Sequence, residues 1–131
     1  MRKLLDTNLV IRFLIKDSPP KARAVKKILE SEGEEIILTD VGLAEIVWVL
    51  TSYYQLSKVE VVDKLLDLLS LKTIQANKHI LVKALKLYQS LNVDFIDAYL
   101  GAYAENIGVK DVYSFDKDFD KIPEVNRLEP K

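Results

Sequence analysis

The alternation of short apolar runs with longer helical segments constrains the fold of this chain more than any other feature. Two runs, at residues 3–5 and 36–38, have the length and composition of buried strands, and further strands are expected at residues 72–74 and 112–114. A last short edge strand is expected at Val125–Leu128. Strands that alternate with helices form a parallel sheet covered by helices. The sequence therefore predicts an α/β fold, a three-layer α/β/α sandwich with a short parallel sheet of four to five strands surrounded by helices.

Capping residues set the limits of six predicted helices. Ser18 precedes Pro19 and Pro20, an arrangement typical of a helix start, and Ser57 and Glu60 have the spacing of a capping box. We place the helices at about residues 7–15, 19–31, 40–54, 58–70, 78–91 and 95–108, with a short turn or helix from Asp116. In parallel sheets the functional crevice lies at the carboxyl ends of the strands, so residues that directly follow a strand are candidates for function.

Composition excludes several classes of protein. The chain has no Cys and a single His, which excludes disulfide scaffolds, thiolate zinc sites, iron–sulfur clusters and His-rich zinc centres. Its 19 Lys and Arg nearly balance 20 Asp and Glu, which argues against a protein that coats nucleic acid but not against a nuclease. No apolar run reaches the roughly 18 residues of a membrane span. We expect a single domain over residues 1–131, without membrane association, in the cytoplasm.

Three carboxylates stand in apolar surroundings. Asp6 follows the first predicted strand, Glu45 lies in the middle of the third helix, and Asp97 lies in the first turn of the sixth. A lone buried carboxylate is costly unless a partner compensates its charge, and no Lys or Arg stands one helical turn from Glu45 or Asp97. These acids therefore either reach solvent or share a cation.

Strand geometry brings a fourth acid to the same place. Asp116 follows the strand at residues 112–114, and if this strand is the neighbour of the first, Asp6 and Asp116 point into one crevice. Gly101, one turn beyond Asp97, leaves room for a close approach of the backbone. Carboxylates that converge in this way need a compensating cation, and ligation by oxygen alone suits Mg²⁺ or Mn²⁺. Such sites are typical of enzymes that hydrolyse phosphodiesters.

Four motifs, in order, resemble the PIN-domain ribonucleases of the VapC toxin type. They are Leu4-Leu5-Asp6-Thr7-Asn8, Ala44-Glu45, Val93-Asp94-Phe95-Ile96-Asp97-Ala98 and Tyr113-Ser114-Phe115-Asp116-Lys117-Asp118-Phe119. The resemblance covers nearly the whole chain. The motifs are individually short, and their order and spacing make the match specific. The chain departs from the pattern at Ser114, where Thr is commoner in the family.

The resemblance implies a PIN-like fold and an Mg²⁺- or Mn²⁺-dependent endoribonuclease, the toxin of a toxin–antitoxin pair. It assigns metal binding and catalysis to four acids: Asp6, Glu45, Asp97 and Asp116. It also implies that Thr7 or Ser114 holds a water molecule or a phosphate oxygen. Members of the family are usually homodimers that a small antitoxin silences by covering the acidic pocket. The implied partners are therefore RNA, an antitoxin protein and a second copy of the chain.

Simpler interpretations remain open for several of these residues. Asp6 can be the N-cap of the first helix, and we interpret Asp94 chiefly as the N-cap of the sixth. Asp118 competes with Asp116 as the metal ligand of its segment or supports it from outside. Arg12 is our candidate for a contact with RNA phosphate. Aromatic residues such as Trp48 are interpreted as core or protein-interface residues rather than as stacking platforms.

Other functions fit the sequence less well. Phosphoryl-transfer enzymes of the haloacid dehalogenase type need an acid two residues after Asp6, where this chain has Asn8. A response-regulator receiver domain gives no role to Glu45 and Asp97. Two alternatives within the family remain, namely a non-catalytic PIN scaffold and a PIN nuclease of RNA processing without an antitoxin. The presence of all four acids argues against a degenerate scaffold.

Overall fold

The first of two structural units, Met1–Lys78, contains a three-stranded parallel sheet and four helices. The computed structural model describes residues 1–131. In chain order the elements are β1 Arg2–Leu4, α1 Thr7–Ile15, α2 Pro19–Leu29, β2 Glu35–Ile37, α3 Asp40–Ser52, α4 Lys58–Leu69 and β3 Ile74–Gln75. Strand β2 is central, with Lys3 of β1 and Ile74 of β3 both in register with Ile36. None of the helices in the chain is long and apolar enough to cross a membrane.

Helix α3 is held in place by its cap and by its apolar face. Thr39 caps the helix, since its hydroxyl accepts a hydrogen bond of 2.9 Å from the backbone N–H of Gly42. Leu43, Ile46 and Leu50 recur at helical spacing and are fully buried. The burial of these side chains fixes the rotation of the helix about its axis. Glu45, between the buried positions, consequently points to solvent.

The second unit, His79–Lys131, contains a two-stranded parallel sheet and the helical segments around it. Its elements are α5 Lys78–Ser90, which begins at the last residue of the first unit, α6 Phe95–Asn106, β4 Asp111–Tyr113, a 3₁₀ helix Lys117–Lys121 and β5 Asn126–Leu128. Val112 of β4 is in register with Arg127 of β5. Gly108 follows α6 with a φ of +73°, a conformation that favours glycine at the end of a helix.

A glycine allows α6 to approach the segment that follows the 3₁₀ helix. Gly101 is buried, and a Cβ at this position would lie 2.9 Å from Cγ2 of Ile122, which is itself buried. The close approach expected at Gly101 is thus made with a side chain rather than with backbone. Because Asp97 lies one turn before Gly101, this packing holds its helix against the segment that carries Asp116.

The α/β class predicted from the sequence is confirmed, since six helices alternate with strands that pair in parallel. The five predicted strands are present, but the expected burial of the first is wrong, since all three residues of β1 are exposed. Hydrogen bonds divide the strands into sheets of three and two, so β1 pairs with β2 and β4 with β5. Each strand has only two or three residues and pairs with one or two neighbouring strands. The expected pairing of the strands before Asp6 and Asp116 is therefore not among these ladders. The assignment of residues 1–131 to one domain stays a prediction.

Candidate metal centre

Three carboxylates of the second unit lie close together. Asp97 comes from the first turn of α6, Asp116 from the residue before the 3₁₀ helix, and Asp118 from the first turn of that helix. One oxygen of each carboxylate lies within 4.8 Å of the other two. Asp97 and Asp118 are half-buried, and Asp116 is exposed. The structure thus groups Asp118 with two of the predicted ligands, although the sequence favoured Asp116 alone in this segment.

The cluster is electrostatically strained without a cation. Partial burial and the neighbouring charges of Asp116 and Asp94 raise the pKa of Asp97 from its ordinary value of 3.8 to about 6. The hydrogen bond between the Asp97 and Asp116 side chains contributes to the same shift, as does the charge of Asp118. A proton on Asp97 therefore offsets part of the negative charge that a bound cation would neutralise in this cluster.

The donor set fits a hard divalent cation. The cluster consists of carboxylate oxygens alone, which are the ligands that Mg²⁺ and Mn²⁺ prefer. These oxygens, which lie within 4.8 Å of one another, would hold such a cation together with water molecules.

Short hydrogen bonds shape the segment that carries two of these acids. The backbone N–H of Asp116 donates to Oγ of Ser114, and the N–H of Asp118 donates to Oδ1 of Asp116, both at 2.9 Å. Asp118 also pairs with Lys121 at 2.9 Å. Ser114, predicted to hold water or phosphate, thus has a local structural contact as well, since its oxygen fixes the turn that leads into the 3₁₀ helix.

Sequence reasoning missed Arg127, whose guanidinium lies beside this segment. Its Nε and Nη2 donate to the two carboxylate oxygens of Asp120 at 3.1 and 3.4 Å, and Nη1 donates to the carbonyl oxygen of Ser114 at 3.3 Å. The hydrogen bonds with Asp120 raise the pKa of Arg127. The available signal was an arginine within the predicted edge strand, where a side chain that is buried needs a partner for its charge.

The two predicted acids of the first unit, Asp6 and Glu45, accept hydrogen bonds and are not members of the carboxylate cluster. Asp6 is exposed and caps α1, accepting a hydrogen bond of 3.2 Å from the backbone N–H of Asn8. The Thr7 hydroxyl donates to Oε1 of Glu45 at 3.3 Å. A Cβ at Gly42 would lie 3.3 Å from Cγ2 of Thr7, so this small residue lets α3 approach the start of α1. Both acids reach solvent, which was one of the two outcomes expected for charges in apolar segments.

Two further predicted residues have specific surroundings. Asp94 occupies the N-cap position of α6, but its side chain makes no capping hydrogen bond. The predicted position is therefore confirmed but the capping hydrogen bond is absent, and the charge of Asp94 helps to raise the pKa of Asp97. Arg12 pairs with Asp17 at 2.8 Å, so the candidate for the phosphate contact already has an anionic partner.

Comparisons with known proteins identify a family for this chain. The VapC ribonuclease of Aquifex aeolicus (strain VF5) is 25% identical over 124 residues, which are 92% of this chain and 91% of that protein. The crystal structure of VapBC2 from Rickettsia felis bound to a DNA fragment from their promoter aligns over 98% of both chains, with 17% identity and a TM-score of 0.42. The family model described as PIN domain matches residues 3–125, a span that includes all the predicted acids, and the chain therefore belongs to the PIN domain family.

Proposed function

We propose that this chain is an Mg²⁺- or Mn²⁺-dependent endoribonuclease and the toxin of a toxin–antitoxin pair. A nuclease of the VapC-like PIN class is supported by the family match and by the relationship to a VapC ribonuclease. The observation that carries the metal dependence is the cluster of Asp97, Asp116 and Asp118, whose oxygens lie within 4.8 Å of one another.

We assign the cation to the four predicted acids and add Asp118 to them. The support for Asp97, Asp116 and Asp118 is their distance and their shared charge. The support for Asp6 and Glu45 is their match to the family motifs in the sequence. A divalent cation in such a site polarises the phosphoryl group and lowers the pKa of a water molecule that attacks phosphorus.

The residues of the chain itself have roles in binding and orientation. The pKa of Asp97 is raised to about 6, so its carboxyl group would lose any proton it holds on ligating a cation. Ser114 fixes the turn before the 3₁₀ helix, because its hydroxyl oxygen accepts a hydrogen bond from the backbone N–H of Asp116. The Thr7 hydroxyl orients the carboxylate of Glu45.

Exposed apolar side chains support protein partners near Glu45. Val41 and Trp48 lie one turn before and after Glu45 on α3, with 77% and 66% of their surface exposed. Large apolar residues at this exposure are typical of surfaces that another protein covers. An antitoxin and a second copy of the chain are the proposed partners, in the cytoplasm.

The test is Mn²⁺-dependent cleavage of single-stranded RNA by the wild type and by Asp116→Asn. We expect cleavage that EDTA abolishes, and its loss in Asp116→Asn. Asp111→Asn is the matched control, because Asp111 is an exposed acid at the start of β4 outside the cluster and its amide can still accept from Asn126. A wild-type protein that binds RNA but does not cleave it with either metal would favour the non-catalytic scaffold.

A further inference from the structure

Arg127 connects the two ends of the segment that carries Asp116 and Asp118. Its side chain is only 13% exposed, although β5 lies close to the end of the chain. One guanidinium donates to the carbonyl oxygen of Ser114, before the two acids, and to both carboxylate oxygens of Asp120, after them. Nη1 also lies 3.7 Å from Glu129. The guanidinium therefore connects residue 114 with residue 120.

We propose that Arg127 is a positioning residue, which holds Asp116 and Asp118 in the arrangement that binds the divalent cation. The inference rests on the proposed function, because it assumes that these carboxylates are cation ligands. Within the segment, the bonds from Asp116 to Ser114 and from Asp118 to Asp116 are local and lie near the surface. Arg127 is the side chain from a separate strand that fixes both ends of the segment at once.

The sign of the effect on cation affinity separates positioning from simple charge. A positive group near Asp116 repels an incoming cation, so if Arg127 acted by charge alone its removal would tighten cation binding. If Arg127 positions the carboxylates, its removal lets the segment move and weakens cation binding. These two expectations have opposite directions, and a purely structural role in the β4–β5 pair predicts lower stability with unchanged affinity.

The shape of the guanidinium matters as much as its charge. Arg presents several donors in a rigid plane, whereas Lys carries one compact ammonium group that cannot reproduce this fork. Arg127→Lys therefore keeps the charge and loses the connection between Ser114 and Asp120. Asp120→Asn weakens the same connection from the other side and leaves Arg127 in place.

The experiment measures the dissociation constant of Mn²⁺ by titration calorimetry for the wild type, Arg127→Met, Arg127→Lys and Asp120→Asn. We expect Arg127→Met to weaken binding by about 10- to 100-fold, the range found when residues that orient metal ligands are lost. Arg127→Lys and Asp120→Asn should weaken it by a smaller factor. Adding Asp120→Asn to Arg127→Met should change the constant little further, since the connection is already broken. Lys83→Met is the control, because it removes a cross-helix ion pair with Glu105 in the same unit.

The outcomes are distinguishable from failure to fold and from failure of the proposed function. Far-UV circular dichroism identifies unfolded variants, and if Arg127→Met unfolds, Arg127→Lys provides the decision, because it keeps the charge whereas Asp120→Asn removes one. Recovery of the cleavage rate at saturating Mn²⁺, with an unchanged KM for RNA, supports positioning. Unchanged or tighter Mn²⁺ binding in the folded Arg127 variants overturns the inference while leaving the proposed function intact. A wild type that binds no Mn²⁺ overturns both, and a wild type that binds Mn²⁺ through Arg127-dependent geometry without cleaving RNA overturns the proposed function alone.

Discussion

The acids of the two structural units differ in what surrounds them. In the first unit, Asp6 and Glu45 are exposed, and each accepts a hydrogen bond from a neighbouring donor. In the second unit, Asp97, Asp116 and Asp118 crowd one another, and the pKa of Asp97 rises to about 6. Asp6 and Asp116 are both N-caps that accept from a backbone N–H, but only Asp116 also belongs to a charge-strained cluster. The neighbours of an acid, and not its position in a motif, therefore determine its electrostatic state.

The largest expected effect tests whether the acids of the first unit share the function of the second. Asp6→Asn should lower RNA cleavage by at least about 100-fold, since even residues that only orient metal ligands contribute 10- to 100-fold. The fold should persist, because Asn caps a helix as well as Asp does. The measurement is single-turnover cleavage, with circular dichroism as the check on folding. Cleavage at the wild-type rate would leave Asp6 with its capping role alone.

The next effect is the stabilisation that a cation brings to the cluster. An ion that binds only the folded state at 100 times its dissociation constant adds about 2.7 kcal/mol to the free energy of unfolding, on the order of 10 °C in Tm. We expect this rise with Mn²⁺ in the wild type and its absence in Asp97→Asn, measured by thermal unfolding after EDTA treatment. Glu105→Gln, on the same helix and outside the cluster, should keep the rise. An equal rise in Asp97→Asn would remove Asp97 from the ligand set.

Much of the fold follows from local signals in the sequence. The bounds of α1 agree with the prediction, and the predicted capping box is present, with Ser57 and Glu60 each accepting from the other's backbone N–H. Helix α2 ends at Leu29 and α3 at Ser52, two residues earlier than predicted in each case. A helix cap is a contact between residues at most four positions apart, so its residue pattern is visible in the sequence.

The candidate site was predictable only in part, because its geometry depends on distant contacts. Asp97 and Asp116 were selected by motif, and the structure confirms that they lie together. The contribution of Asp118 depends on the direction of a 3₁₀ turn, which alternating Asp and Lys residues do not specify. Arg127 could not be assigned, since its partners Ser114 and Asp120 lie in the turn after β4 and in the 3₁₀ helix, outside its own strand. The division into two sheets likewise depends on pairing between elements, which periodicity does not determine.

A smaller effect concerns the pH dependence of stability in the absence of metal. The folded chain keeps the Asp97 proton up to about pH 6, whereas an unfolded chain loses it near 3.8, so the free energy of unfolding should fall as pH rises between these values. For a half-buried group we expect a fall of about 1–2 kcal/mol, less than the full shift implies. Asp97→Asn should lack this component and be more stable than the wild type at pH 7 in EDTA. Urea unfolding from pH 4 to 7 measures the free energy of unfolding of both proteins. If it changed with pH in the same way in both, Asp97 would not be the group that keeps a proton up to about pH 6.

The smallest effect compares the hydroxyl groups that support the acids in each unit. Ser114→Ala removes the acceptor for the backbone N–H of Asp116 and should lower the free energy of unfolding by about 1 kcal/mol, as loss of a cap does. Thr7→Val keeps the shape of the side chain and removes a bond of 3.3 Å to an exposed carboxylate, so its cost should stay below about 0.5 kcal/mol. Urea unfolding without metal measures both changes, and an unchanged m-value verifies that the unfolded states are comparable. If Thr7→Val were the more destabilising change, the hydrogen bond to Glu45 would contribute at least as much to stability as the one from Asp116 to Ser114. The two sets of acids would then differ only in how closely their charges approach one another.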